Sequence, residues 1–357
     1  MATEQIDQAK AEAFGGRMVQ MLNDGMLSLM TSLGHQTGLF DKMSTLAPAT
    51  SEQVAEAAGL NERYVREWLG AMVTGGIVEH EPDGQRYRLP AEHAVFLTRA
   101  SGPNNMATFT QFFALFGNVE EGLIDSFRNG GGVPYSQFGK FQKLMAEESA
   151  QVVDATLIDV TLPLVPGLVN RMRDGIDVLD VGCGQGHAIN VMAREFPNSR
   201  FTGYDFSDEG VAAGTAEAKA MSLNNARFVK MDAASIGEES AYDLITAFDA
   251  IHDQAAPTKV LTAISRALRP GGVFLMVDIL ASSSLHENME HPLAPMLYSV
   301  STMHCMTVSL ALGGEGLGTV WGDQLARKKL AEAGFTSIDM KQVEGDIMNA
   351  YYIARKD

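Results

Sequence analysis

The stretch that most restricts this chain is VLDVGCGQG, residues 178–186: an apolar run, an acid, glycines at 182, 184 and 186, then a helix-like segment. A strand that ends this way must turn sharply at a sheet edge, and its backbone must approach whatever lies there more closely than a Cβ would allow. From residue 176 onward strand-like and helix-like segments alternate, as DVLDVGCG, HAINVMAREF, RFTGYDF, DEGVAAGTAEAKAMSL, ARFVKMD, YDLITAFDAI, PTKVLTAISRAL and GGVFLMVDIL. Alternation with short polar links predicts an α/β fold, a parallel sheet with helices on both faces. The end departs from it. FTSIDMKQVE and IMNAYYIARK are separated only by the turn at Gly345–Asp346, which predicts an antiparallel hairpin at the sheet edge.

The front half follows another pattern. Residues 14–46 set Met and Leu at helical spacing on more than one side, which predicts a helix buried against a second chain or domain. SEQVAEAAGL and NERYVREWLGAMVTGGIV then predict two short helices, the second capped by Asn61 and stopped by Gly75–Gly76. EHEPDGQRYRLP adds a hairpin turning at Pro82–Asp83–Gly84, which completes the order of a winged helix-turn-helix. Residues 1–100 carry 8 Lys/Arg against 13 Asp/Glu, and Arg63 and Arg66 are offset by Glu62 and Glu67. A groove reader needs a basic face, so dimerisation or pocket scaffolding is the expected use of this module and nucleic acid is not an expected partner. In the next stretch Phe109, Phe112, Phe113 and Phe116 recur at helical spacing and read as core. The GGGVPYSQF loop carrying Tyr135 either folds over a ligand or simply connects. The division expected is 1–100 for the winged-helix and dimerisation domain, 101–170 for a helical linker and lid, and 171–357 for the α/β domain.

Composition narrows the ligand. With 46% hydrophobic and 20% charged residues the chain reads as globular. Its apolar runs fall short of the roughly 20 residues of a spanning helix, and MATEQIDQAKAEAF lacks the basic-then-apolar order of a signal peptide. No membrane is expected, and the cytoplasm is the expected compartment. Cys183 and Cys305 make neither a disulfide framework nor a metal-ligand spacing, so no metal is expected. A net charge of −17 disfavours phosphate-rich partners and suits a neutral or cationic small ligand.

Candidate ligand groups fall at successive strand ends. Asp180, Gly182, Cys183, Gly184 and Gly186 belong to the first; Asp205 and Phe206 close the second, where a carboxylate can accept from both hydroxyls of a ribose. Asp232–Ala233 closes the third, placed to meet an adenine edge, and Phe248–Asp249 the fourth. The plainer reading of such acids is a helix cap or a solvated turn. A nicotinamide dinucleotide brings a pyrophosphate and the spacing G-x-G-x-x-G. Here the spacing is G-x-G-x-G, and residues 177–187 contain no Arg or Lys, which suits a phosphate-free cation.

Together VLDVGCGQG, Asp205, Asp232–Ala233 and the RALRPGG turn at 266–272 resemble the class I S-adenosylmethionine-dependent methyltransferases. With the winged-helix front the chain is similar to the small-molecule O-methyltransferase type. The resemblance implies a Rossmann-like seven-stranded sheet, S-adenosyl-L-methionine as cofactor, a small-molecule methyl acceptor and a homodimer formed through the N-terminal domain. It also implies a catalytic His in an H-D-W-S-D stretch. His252–Asp253 matches its first two residues, whereas Gln254, Ala255 and Ala256 depart from the rest. By position Asp278 and Glu315 are similar to the acids that orient that His. His252 is then either a general base, as its ordinary pKa near 6.5 permits, or a structural or ligand-contacting residue. Residues 288–312, with Tyr298, Met303, His304 and Met306, would either roof an apolar acceptor pocket or serve as core or dimer contact. His304 alone reads as a satisfied core histidine rather than as a second base. Two other classes stay open: a catalytically silent cofactor-binding regulator whose winged helix touches DNA or protein, and a nicotinamide oxidoreductase, which the glycine spacing and terminal hairpin disfavour.

Overall fold

The computed structural model describes residues 6–356. It divides into two compact units, one running to Leu115 and the other from Phe116 onward, so the 101–170 stretch is shared between them.

The first unit opens with α1 (Gln8–Gln36), capped by Asp7, which accepts from the Lys10 amide. Helix α1 is longer than the Met/Leu pattern predicts at its start and ends earlier. Phe14, Val19, Leu22 and Met26 on it are 59–66% exposed, so this chain does not bury them itself. Next come α2 (Ser51–Ala58) and α3 (Glu62–Thr74). Thr50 starts α2 with a reciprocal cap, its hydroxyl accepting from the Gln53 amide while the Gln53 side chain accepts from the Thr50 amide. Asn61 caps α3 through the Arg63 amide at 3.1 Å. Strands β1 (Glu79–Glu81) and β2 (Arg86–Arg88) pair antiparallel across the expected turn. Phe40, Val54, Leu69 and Met72 form the core with Trp68, whose ring meets Phe40 edge-on at 5.2 Å and whose Nε1 donates to the Met30 carbonyl at 2.8 Å. Three arginines of α3 and the wing are taken up locally: Arg63 by Glu67, Arg66 by Glu62 and Arg88 by Glu79.

The second unit begins with α4 (Glu120–Asn129) and α5 (Phe141–Thr156). Its strands are β3 (Asp177–Val181), β4 (Arg200–Asp205), β5 (Ala226–Lys230), β6 (Tyr242–Phe248), β7 (Leu268–Ile279), β8 (Ser337–Lys341) and β9 (Asn349–Arg355). They lie in the order β5-β4-β3-β6-β7-β9-β8 in one seven-stranded sheet. Strands β3 to β7 pair in parallel, and β9 runs antiparallel to both β7 and β8, as the short terminal turn requires. The sheet is covered on both faces by α6 (His187–Glu195), α7 (Asp208–Ala220), α8 (Pro257–Ala267) and α9 (Gly322–Glu332), each following its strand. Two-sided cover explains why β3 and β6 are buried along nearly their whole length. Ile245, Ile264, Met276 and Leu330 fill one side; Val178, Ile189, Leu244 and Leu275 fill the other. From β3 the chain winds outward to β5 and then returns to β6, so the order reverses between β3 and β6, where an open sheet leaves a crevice at its C-terminal edge. Among the described residues no single helix is long and apolar enough to cross a membrane.

The Thr50 cap gives a test of the first unit. Thr50→Ala removes the hydroxyl that accepts from the Gln53 amide and is expected to cost about 1 kcal/mol, read as a lower urea midpoint at unchanged slope. A midpoint equal to wild type would show that tertiary packing alone sets the start of α2.

Candidate functional site

The crevice is built around the turn that follows β3. The Gly182 and Cys183 amides both donate to the Tyr204 carbonyl, at 2.8 and 3.1 Å, so β4 pins the turn. At φ 73° and 76°, Gly182 and Gly186 hold left-handed backbone. A Cβ at Gly182 would lie 2.5 Å from the Ala250 Cβ, and one at Gly186 2.2 Å from the Phe228 ring. The spacing read from the sequence therefore marks two positions that admit no side chain. At Asp205 the Oδ2 accepts from the Gly184 amide and the Oδ1 from the Ser207 amide, both at 2.8 Å. Burial raises its pKa, and those N–H groups together with the Phe206 amide oppose the rise. Each oxygen keeps further acceptor capacity, which suits a pair of sugar hydroxyls.

Other acids crowd the same edge. Asp180 is buried beneath the turn, accepts from Thr246 Oγ1 at 2.7 Å, and is pushed by burial to about 7. Asp249, just past β6, is pushed to about 8 by burial and then by the Asp278 charge. It holds φ 49°, unusual for a residue with a side chain, and its Oδ1 has no hydrogen-bond partner among the described residues. Burial also raises Asp253 to about 6 and Glu148, on α5, to about 7. Buried carboxyls that raise one another fit a cation and repel an anion. The Cys183 thiol is held strongly protonated by burial and by Asp180 and Asp205, so it is chemically inert here.

The remaining cofactor-side candidates differ in placement. Asp232 is exposed and caps the short turn Ala233–Ser235 through the Ala234 amide at 2.9 Å, so the local cap is present, and Ala233 is buried beside it. Phe206 is 53% exposed and meets Tyr135 edge-on at 5.3 Å. Phe248 is partly buried against the apolar core.

Past β6 the chain brings His252 to Asp278, near the end of β7. Their Nδ1 and Oδ1 lie 2.8 Å apart with both residues buried, and a carboxylate only accepts, so Nδ1 carries the hydrogen and Nε2 is left to take a proton. Asp278 Oδ1 also accepts from Trp321 Nε1 at 3.0 Å and from the Ile279 amide at 2.8 Å. Burial opposes charge on His252, but the buried Asp278 carboxylate, with Cys305 beside the ring, holds its pKa well above 6.5. Glu315 takes no part in this pair. Its carboxylate is held by Lys329 Nζ at 2.5 Å and by Thr258 Oγ1 at 3.4 Å. Of the two acids expected to orient His252, only Asp278 does so, and it is itself held by Trp321. Asp249, His252 and Asp278 also offer ligand atoms within 4.8 Å of one another, a set that could hold a metal ion. A cation there would compete with the imidazole N–H for Asp278.

On the acceptor side, Tyr135 and His304 come together, with ring centroids 5.4 Å apart. Met303 is partly buried on the same π-helical stretch, Ser301–Cys305, that carries His304. Tyr298 is engaged elsewhere, its hydroxyl accepting from Asn288 Nδ2 at 3.1 Å. Sequence reasoning passed over Trp321, Glu148, Cys305 and Phe141. Trp321 alone left a signal, being one of two tryptophans in the chain.

Comparison with known proteins agrees with the fold. Residues 172–334 match the family described as methyltransferase domain, and residues 25–99 the family described as Rv2258c-like winged HTH domain. A fatty-acid O-methyltransferase of Mycolicibacterium smegmatis is 31% identical over 106 residues, covering 29% of this chain and 38% of its own. The chain thus spans less than half the length of the curated relatives it matches in this way. A candidate O-methyltransferase of Nostoc punctiforme superposes with a TM-score of 0.73 at 18% identity, over 95% of this chain and 98% of that one. Human N-acetylserotonin methyltransferase in complex with S-adenosylmethionine gives 0.67 at 19% identity over 100% of both. At such identities the structural likeness is one of fold. The chain thus joins a segment matching the methyltransferase domain family to a preceding segment matching the Rv2258c-like winged HTH family, in a fold shared with these solved methyltransferases.

Proposed function

We propose that this protein is an enzyme that transfers a methyl group from S-adenosylmethionine to an oxygen of a small, mostly apolar acceptor. The observation that carries this reading is the meeting, at one sheet edge, of a glycine-bearing turn bonded to Asp205 and a buried His252–Asp278 pair. The cofactor supplies a methyl group already activated by a positively charged sulfur. The 182–186 turn and Asp205 are assigned to its sugar, and Asp180, Cys183, Phe206, Asp232, Ala233, Phe248 and Asp249 to the walls around it. Asp278 fixes the imidazole so that Nε2 can accept the proton of an acceptor hydroxyl, and Tyr135, Met303 and His304 border the acceptor. Such a reaction needs orientation, exclusion of water and, for a phenol, a base.

Domain use follows from the surfaces. The paired arginines of α3 and the wing support a scaffold or dimerisation role over DNA reading. Exposed Phe14, Val19, Leu22 and Met26 on α1 support a homodimer formed through the N-terminal domain, and the free cysteines suit the reducing cytoplasm. Light scattering after size exclusion should give twice the 38.5 kDa chain mass, and a monomer at micromolar concentration would remove the dimer from this account.

Calorimetry tests the cofactor. Asp180, Asp249 and Glu148, near 7 to 8, are partly protonated at neutral pH, and a nearby cation favours their ionised forms. Binding of S-adenosylmethionine is therefore expected to release protons and to tighten from pH 6 to pH 8, whereas neutral S-adenosylhomocysteine changes less. No heat for either molecule would end the methyltransferase reading.

The base is tested by pH. Only neutral His252 accepts a proton, and Asp278 raises its pKa, so kcat/KM should climb with pH through a midpoint above 6.5. Asp278→Asn should move that limb to lower pH, and His252→Ala should slow transfer to a phenol by roughly 100-fold. Unchanged turnover in His252→Ala would take the residue out of the chemistry.

A further inference from the structure

We propose that His304 selects the methyl acceptor, its imidazole hydrogen-bonding a second heteroatom on a flat aromatic ring whose hydroxyl is presented to His252. The proposal deepens the methyltransferase reading above and rests on it.

His304 is 1% exposed, yet neither Nδ1 nor Nε2 has a hydrogen-bond partner among the described residues. Two other histidines of this unit are held by carboxylates. His252 is bound to Asp278, and His187 uses both nitrogens, on Glu217 and on Asp154. A buried imidazole with two bare nitrogens is costly unless something occupies them, and a core position would be served better by Phe or Leu. Its surroundings are aromatic. Phe141 stacks on one face with centroids 3.6 Å apart and planes 10° from parallel, while Phe138 and Tyr135 meet it edge-on at 4.8 and 5.4 Å. The stacked Phe141 ring shows what that face takes, which is a flat apolar ring. A methyl acceptor would occupy that face in its place.

Position ties the residue to both halves of the reaction. His304 lies in the π-helical stretch Ser301–Cys305, a geometry that re-aims side chains and recurs at functional sites. The next residue, Cys305, lies against the His252 ring. Tyr135, touching His304 on one side, touches Phe206 beside the ribose acid on the other. His304 thus stands between the base and the cofactor wall. Burial, and then the His252 charge, lower its pKa to about 3, so at neutral pH the ring offers one donor and one acceptor and takes no proton from the acceptor. It is a positioning residue, complementary to an amide, a carbonyl or a ring nitrogen set away from the reacting hydroxyl.

The test uses full-length protein with S-adenosylhomocysteine binding checked first, so that a failed cofactor reading shows itself separately. With S-adenosylmethionine, 1-naphthol and 2-naphthol are compared with the hydroxyquinolines that place nitrogen at each ring position. Wild type is expected to favour at least one hydroxyquinoline over its naphthol by about tenfold in KM, the worth of one hydrogen bond to a buried partner. His304→Phe should abolish that preference without moving the acid limb of the pH profile, and His304→Asn should restore part of it. Because His304→Phe removes unpaired buried polar atoms, its melting temperature should equal or exceed that of wild type. A lower melting temperature would make His304 an ordinary packing residue. A preference that survives in His304→Phe, or the absence of any preference in wild type while the cofactor still binds, would overturn the proposal and leave the methyltransferase reading standing.

Discussion

The turn after β3 depends on a single carbonyl. Tyr204, the penultimate residue of β4, accepts from two successive amides of that turn, and the next residue, Asp205, accepts from a third. Parallel pairing of β3 with β4 sets where these acceptors fall, so the crevice is positioned by the sheet register and not by the loop's own preference. This is why the turn has to be glycine at 182 and 186. Once the amides are tied to β4, the backbone passes so close to Ala250 and Phe228 that no Cβ fits. The turn and the carboxylate that serves it form one unit, and a change in either would disturb both.

That arrangement has an electrostatic consequence. Packing Asp180, Asp205, Asp249, Asp253 and Glu148 about one edge costs desolvation, and every one of them is pushed above its ordinary value by burial. A protein gains nothing in stability from such crowding. Its benefit appears only with a cationic ligand, whose charge the cluster would meet without counter-ions. The same logic separates Asp278 from its neighbours. Three N–H donors converge on its Oδ1, among them His252 Nδ1, whose ring it holds in place.

Much of this was legible in the sequence for physical reasons. The alternation from residue 176, the G-x-G-x-G spacing and the terminal hairpin are local patterns set by backbone sterics and strand burial, and each recurs in the structure. Asp205 and the His252–Asp278 pair were legible because strand ends in a parallel sheet converge on one edge whatever the intervening sequence. What stayed hidden depends on long-range packing. Trp321 reaches Asp278 from 43 positions away, and Glu315, matched by order along the chain, faces Lys329 because the segment after residue 312 turns toward α8 and α9. Glu148 sits in an amphipathic helix with nothing local to mark it as buried. The domain boundary at 115/116 was equally invisible, since helical spacing runs unbroken across it.

The winged module shows how a motif and its usual role can part. Its two helices and hairpin are specified by caps and turns, Thr50, Asn61 and the 82–85 turn, none of which concerns charge. DNA affinity, by contrast, comes from uncompensated Lys and Arg on the exposed face. Here Arg63, Arg66 and Arg88 each lie against a glutamate of the same element or hairpin, at i+4, i−4 and across the β1–β2 pair. The spacing makes these pairs form within the module itself, so a phosphate backbone would have to break them to bind. The same unit also turns apolar side chains outward: the 29-residue α1 carries exposed Phe14, Val19, Leu22 and Met26. Exposed side chains of that kind bury favourably only against another apolar surface.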